Sequence, residues 1–271
     1  MTDLPSSEQK LLWAETHLSA LKKRVHAFTN SRPVEITSHF KPNRPGYDTV
    51  FRIKRLTPPE IVLGVGDVIG NMRDALDHLI WEMTVANTGH ALPGTAWPII
   101  RWRADWPLMG NNGKPNNRSG EYKIRGVHPK YWSGVKSHQP FYRKRKDNAN
   151  PVHALWVLDE LRNLDRHRRL AVVPVSVEET HTTIVLRDPL VPGPVREYFR
   201  IKPPQDGSII ERWRMAPGLT ESDIQVDAVA TPLLALNEPS AHQRYTDLID
   251  TLERLHLSVL LVLREFAQLY D

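Results

Sequence analysis

The 271-residue chain contains no cysteine, which excludes disulfide bonds, thiolate nucleophiles and cysteine-ligated zinc. It has no apolar stretch of the roughly 18–20 residues that a membrane span needs. The N-terminal MTDLPSSEQKLLW lacks the basic and then apolar regions of a signal peptide. P-loop, G-x-G-x-x-G, G-x-S-x-G and H-E-x-x-H motifs are also missing. These absences favour a cytoplasmic, bacterial-type protein without a membrane partner, and they give no sign of a cofactor.

Acidic residues are scarce in one long segment. Between Arg101 and Lys146 there are twelve lysines and arginines but two acids, which leaves that segment at +10 in a chain of net charge +5. Tryptophan, tyrosine and phenylalanine are interleaved with these cations, a composition typical of surfaces that bind polyanions and stack on bases. The predicted nucleic-acid-binding residues are Lys123, Arg125, Lys136, Arg143, Lys144, Arg145 and Lys146. The alternative is a solvated loop, which the stretch MGNNGKPNNRSGE resembles.

Hydrophobic periodicity predicts four long helices at about 6–29, 60–86, 152–168 and 240–270. The stretch 47–56 alternates like a strand, and short β-like runs separated by proline and glycine fill 170–232. A basic, irregular insert occupies 92–150. We therefore predict one α+β domain over 1–271, a bundle of about four long helices with an inserted antiparallel β-sheet.

Two of the predicted helices share an unusual second face. The helix 60–86 has a core stripe that includes Val65, Met72 and Leu76, while Asp67, Asn71, Asp74, His78 and Trp81 lie opposite it. The helix 152–168 likewise places Trp156, Asp159, Asn163 and His167 opposite its core stripe. A solvated face rarely carries tryptophan, so each of these faces is expected to contact a ligand, a partner or another helix.

Both helices also contain an arginine followed five positions later by a histidine, RDALDH from Arg73 to His78 and RNLDRH from Arg162 to His167. This pattern resembles the R-x4–6-H signature of HEPN domains, small helical bundles many of which are metal-independent ribonucleases. The longer stretches GDVIGNMRDALDHLIWEM and LWVLDELRNLDRHRRL are similar to a family of uncharacterised bacterial proteins with GD…NxRxALDHL and NxDxHR helices.

The HEPN resemblance implies an RNA-binding protein with metal-independent endoribonuclease activity, in a defence or toxin-like setting. His78 and His167 would then move protons at the RNA 2′-hydroxyl, because the ordinary histidine pKa lies near neutral pH. Arg73 and Arg162 would hold the scissile phosphate, and Asp74 and Asn163 would orient them. The two motifs would form one composite site, or one of them would be structural.

Two other interpretations stay open. The chain is either a non-catalytic interaction or dimerisation module, which as a homo-oligomer would use the Trp and His faces as contacts, or a metal-dependent helical enzyme. A metal could lie between Asp67, Asp74 and His78 on one helix and Asp159 and His167 on the other. Glu253 and His256 have the spacing of di-iron bundles, but His256 falls on a core stripe.

The simplest interpretation of the arginines and histidines is structural. Arg73 and Asp77 are four residues apart and would form a helical ion pair. His167 would lie in a last helical turn, where cations favour the helix dipole.

Overall fold

The computed structural model describes residues 5–110, 113–142, 153–199 and 204–267. The helices within these ranges are α1 (Ser6–Asn30), α2 (Pro59–Thr88), α3 (Gly120–Lys123), α4 (Trp132–Ser137), α5 (Ala154–His167) and α6 (Leu248–Ala267). The strands are β1 (Val34–Phe40), β2 (Gly46–Ile53), β3 (Val172–Leu186), β4 (Val195–Phe199), β5 (Ile209–Arg214), β6 (Ile224–Glu238) and β7 (Gln243–Asp247).

Helix α2 is the central element, since it contacts α1, α5 and α6. It begins at Pro59, where proline costs no hydrogen bond, and it ends at Thr88, followed by Gly89, whose φ of 77° favours glycine. The apolar stripe predicted from periodicity is buried along the whole helix. Its members are Val65, Val68, Ile69, Met72, Leu76, Leu79, Ile80 and Met83.

The described strands form two antiparallel sheets. One has four strands in the order β1-β2-β5-β4, and the other has three in the order β3-β6-β7. The buried Glu211 on β5 links the sheets, because it accepts a hydrogen bond from Thr182 on β3. The carboxylate also accepts a bond from Trp213 Nε1 at 3.1 Å.

The predicted fold class is wrong, because the molecule is a mixed α and β protein rather than a four-helix bundle carrying one inserted sheet. Strands β1 and β2 lie between α1 and α2 in the chain and pair with each other, and β2 also pairs with β5, which comes more than a hundred residues later. The last helix starts at Leu248 instead of about 240, because Gln243–Asp247 pairs with β6 as strand β7.

The segment predicted as an irregular basic insert is anchored in the main hydrophobic core. Within its described part, Trp97, Trp106, Ile124, Val127 and Val135 are each at most 2% exposed. The short helices α3 and α4 and three 3-10 turns carry the chain between these anchors. The described part of this segment is therefore packed onto the rest of the molecule.

Among the residues described, no helix is both long enough and apolar enough to cross a lipid bilayer.

Candidate functional site

The polar face of α2 packs against α1. His78 Nδ1 lies 3.0 Å from Ser6 Oγ, and Lys10 Nζ lies 3.2 Å from Asp74 Oδ2. Further along, His17 Nδ1 and Asp67 Oδ2 are 3.9 Å apart. The contacts move forward along α1 as they move back along α2, so the two helices are antiparallel. The contact that this face of α2 was expected to make is thus found within the chain, on α1.

His78 is part of a hydrogen-bond network that attaches the start of α1 to α2. Ser6 Oγ donates to Glu82 Oε1 at 2.7 Å, and the backbone N–H of Ser7 donates to the same atom at 3.0 Å. Because the Ser6 proton is committed to Glu82, Ser6 Oγ accepts from His78, which places the imidazole proton on Nδ1. Glu82 thereby supplies the negative charge and the acceptor that a helix N-terminus favours.

Arg73 is held in an ion cluster between α2 and α5. Its Nε donates to Asp159 Oδ1 at 3.1 Å, and its Nη1 donates to Asp77. Nη2 donates to the backbone carbonyl of Trp97 at 3.0 Å, and Asp77 also accepts from the Trp97 N–H. Burial by itself lowers the pKa of the Arg73 guanidinium, but the two carboxylates outweigh it and raise the pKa. All three nitrogens of Arg73 are therefore engaged inside the protein.

Lys123 at the end of α3 lies beside this ion cluster. Burial and repulsion from Arg73 lower the pKa of its ammonium group, while Asp159 and Asp77 oppose that change. Arg125 is also held internally, because its guanidinium donates to the carbonyl oxygens of Tyr122 and Pro93. Lys123 and Arg125, both predicted to bind nucleic acid, thus have contacts within the fold.

The second arginine, Arg162, packs where α2 and α5 approach closely. It pairs with Asp165 at 3.5 Å and lies over Gly70, while Asp165 lies over Gly66. A Cβ added at Gly66 would come within 2.7 Å of Asp165 Oδ1. Burial raises the pKa of the Asp165 carboxyl, with Arg162 opposing that rise and Asp67 adding to it. Because Gly66 and Gly70 have no side chains, α2 and α5 can approach closely with Arg162 and Asp165 at their contact.

Gly66→Val is expected to lower the free energy of unfolding by about 2 kcal/mol, because the new side chain overlaps the Asp165 carboxylate. Urea unfolding measures the loss. Gly70→Ala is the matched control: its Cβ would meet Arg162 at ordinary van der Waals distance, and alanine favours the helix by up to about 1 kcal/mol. Adding Asp165→Ala to Gly66→Val should recover most of the lost stability. If the double variant instead loses the sum of the two single losses, the contact between Gly66 and Asp165 is contradicted.

The structure does not bring His78 and His167 together. The contacts of Gly66 with Asp165 and of Arg73 with Asp159 show that α2 and α5 run antiparallel. His167 lies just beyond Asp165, whereas His78 lies twelve residues past Gly66 on α2, a helical rise of about 18 Å. His167 is exposed at the end of α5, and His78 is half-buried at α1. The two motifs therefore do not meet in a composite site within one chain.

The remaining polar residues of both helices have local contacts. Asn71 donates to the carbonyl of Asp67 at 2.8 Å, and Asn163 donates to Asp159 Oδ2 at 3.5 Å. Trp81 is 46% exposed beside the start of α1. The Trp156 ring contacts the Arg101 guanidinium and the His242 ring. The Asp, Asn, His and Trp residues that α2 and α5 have in common therefore make different contacts on the two helices.

A basic–aromatic surface is built around Trp156 and the 101–106 segment. The Arg101 guanidinium lies 5.0 Å from the Trp102 ring and 4.6 Å from the Trp156 ring, and His242 packs on Trp156 at 4.8 Å. The basic–aromatic surface consists of Arg101, Trp102, Arg103, Trp106, Lys136, Phe141, Tyr142, Trp156 and His242.

Phe141 contacts three other members of the basic–aromatic surface, Arg103, Trp106 and Tyr142. The Arg103 guanidinium lies 6.0 Å from its ring, and Trp106 packs on it edge to face at 5.8 Å. Lys136 Nζ lies 5.5 Å from the Trp106 ring, and Tyr142 contacts Phe141 at 6.5 Å. Trp102 and Tyr142 are 61% and 50% exposed. Cations and rings therefore alternate within this group, in which Trp102 and Tyr142 are exposed and Trp106 is buried.

Four of the predicted nucleic-acid-binding residues, Arg143, Lys144, Arg145 and Lys146, lie outside the described residues. Lys136 is the one of the other three that belongs to the basic–aromatic surface. Sequence reasoning noted the aromatic residues among the cations but did not select Arg101, Arg103 or Trp102. The sequence RWR at 101–103, in which an aromatic residue lies between two cations, is the pattern that could have identified them.

The described residues contain no group of three or more His, Asp or Glu side chains arranged to hold a metal ion. Glu253 pairs with Lys22 of α1, and Asp159 is bound to Arg73. The carboxylates considered for a metal site thus have cationic partners instead.

Comparison of the chain with protein-family models, with curated proteins and with solved structures finds no match. Roles for these residues therefore rest on their geometry.

Proposed function

We propose that this protein binds single-stranded RNA through the basic–aromatic surface. The observation that carries the proposal is the alternation of charge and ring: the Arg101 guanidinium lies 5.0 Å from the Trp102 ring and 4.6 Å from the Trp156 ring, and the Arg103 guanidinium lies over Phe141. Proteins that bind single strands combine aromatic side chains that stack on successive bases with cations that follow the phosphates. Both elements are present here on a scaffold fixed by buried residues.

The exposed rings favour a single strand over a duplex. A base can stack on Trp102 or Tyr142 only when it has left its own neighbours, which is the usual situation in RNA loops and single-stranded segments. A duplex would engage the cations alone. Binding to a duplex should therefore be weaker and depend almost wholly on charge.

The choice of RNA rather than DNA comes from the HEPN resemblance of the Arg-x4-His motifs. Single-stranded DNA of the same sequence is the comparison that tests this part of the proposal. Stacking and phosphate contacts accept either strand, whereas contacts to the 2′-hydroxyl would distinguish them.

Cleavage by a composite site is not part of the proposal. Arg73 is bound to two carboxylates and a carbonyl, and His78 and His167 lie near opposite ends of the α2–α5 pair. A phosphate clamp needs an arginine whose donors can turn to the substrate. The arrangement of α1, α2 and α5 instead supports a structural role for both motifs.

Trp102→Ala is expected to weaken binding of a twelve-nucleotide single-stranded RNA about tenfold, because one stacked base is worth roughly 1–3 kcal/mol. Fluorescence anisotropy with labelled RNA measures the effect. Trp13→Ala on α1 removes a tryptophan of similar exposure, 56% against 61%, and should leave affinity unchanged. Equal weakening by both variants, or by neither, would contradict the proposed surface.

A further inference from the structure

A separate pocket lies between the C-terminal part of α2, the 3-10 turn Pro129–Tyr131 and the end of α6. Its volume is about 290 Å³, and its lining includes Met83, Ala86, Tyr131 and Phe266. None of the described residues that line it belongs to the basic–aromatic surface. Its volume is at the lower end of the range for small-molecule sites, so it would hold one ring system.

The polar groups of the pocket are mostly hydrogen-bond donors. His128 Nδ1 accepts from the backbone N–H of Lys130 at 3.2 Å, so the neutral imidazole carries its proton on Nε2. Lys130 Nζ lies 4.6 Å from the Tyr131 ring and adds a positive charge. Asn87 is held in place by its bond to the carbonyl of Gly126 at 3.0 Å. No acidic residue is among the described residues that line the pocket.

The apolar wall is aromatic and rigid. Phe266 is 1% exposed and packs edge to face on the buried Trp97 at 5.8 Å. Tyr131 packs edge to face on His128 at 6.3 Å. The pocket therefore combines the buried side chains of Met83 and Phe266 with the half-buried Tyr131 ring and the exposed Lys130.

We propose that this pocket binds a small planar aromatic anion, with its ring between Met83, Tyr131 and Phe266 and its charged group at Lys130 and His128. Two sources supply such a ligand: a mononucleotide, in which the base is the ring and the phosphate the anion, and an aromatic carboxylate. Both need the same apolar slot and the same cationic edge. The inference does not depend on RNA binding by the basic–aromatic surface.

Isothermal titration calorimetry on the full chain tests the proposal with four probes. Adenosine monophosphate and indole-3-carboxylate carry ring and charge, adenosine carries the ring alone, and ribose 5-phosphate carries the charge alone. We expect saturable binding of at least one of the first two with a Kd below about 1 mM. The tighter of them identifies the source. If ribose 5-phosphate binds as tightly, or neither aromatic anion saturates, the proposal is wrong.

Two substitutions locate the site. Ala86→Phe, at an exposed position of α2, should fill the pocket and abolish binding, whereas Ala20→Phe at an exposed position of α1 should not. Lys130→Gln should weaken the anion about tenfold and leave adenosine unaffected, because a charge-assisted bond is lost, and Lys130→Arg should restore binding. Binding that survives Ala86→Phe would place the ligand elsewhere. Trp102→Ala should leave this binding unchanged, so the two proposals fail independently.

Discussion

Arg73→Ala is expected to lower the free energy of unfolding by about 3 kcal/mol, because it removes charge-assisted hydrogen bonds and leaves the half-buried carboxylates of Asp77 and Asp159 without their cation. The Arg73 side chain is only 11% exposed and bonds Asp77, Asp159 and the carbonyl of Trp97. These contacts join α2, α5 and the 92–106 segment. For a chain of this size the loss corresponds to about 10 °C in the midpoint of thermal unfolding.

Differential scanning calorimetry or urea unfolding measures the effect of Arg73→Ala. Lys10→Ala is the control, because the Lys10–Asp74 pair is partly solvated and should contribute no more than about 1 kcal/mol. A structural Arg73 predicts a large loss for the first variant and a small one for the second. An Arg73→Ala protein that is fully stable but has lost a ribonuclease activity of the wild type would instead identify Arg73 as catalytic.

Arg101→Glu combined with Arg103→Glu is expected to weaken single-stranded RNA binding about a hundredfold at low salt. Each arginine lies beside an aromatic ring of the basic–aromatic surface, where a phosphate next to a stacked base would come. Losing two phosphate contacts should also make the dependence of log affinity on log salt shallower by about 1.4, at roughly 0.7 per contact for single strands.

Lys23→Glu combined with Arg24→Glu changes the net charge by the same amount on α1, where both residues are exposed. If the surface binds RNA specifically, the α1 variant should retain nearly full affinity and the wild-type salt dependence. Equal losses in the two double variants would mean that RNA responds only to overall charge. Anisotropy titrations at four salt concentrations distinguish these outcomes.

The helices were predictable because their signals are local. The apolar stripe of α2 is continuous in the sequence and is buried, and the prolines at 58 and 59 mark its start. The sheets were not predictable in the same way. Pairing of β2 with β5 joins residues far apart in the chain, and no local pattern specifies which strands meet. The same limit explains why 243–247 was assigned to a helix.

The polar faces were predictable as contact faces, but their partners were not. The sequence places Asp67, Asp74 and His78 in one row, yet nothing local shows that α1 covers that row. The pairing of Arg73 with Asp77 follows from their spacing, whereas Asp159 and the carbonyl of Trp97 come from other parts of the chain. The spacing of Gly66 and Gly70 was the unused sign of a close helix approach.

Ultraviolet cross-linking of single-stranded RNA to the wild-type protein, with the cross-linked residues mapped by mass spectrometry, tests the central claim most directly. If RNA lies on the basic–aromatic surface, the cross-links should fall on the exposed rings of Trp102 and Tyr142 and on neighbouring Phe141. Cross-links concentrated instead at Trp13, His78 or Trp81, along the contact of α1 with α2, would contradict it.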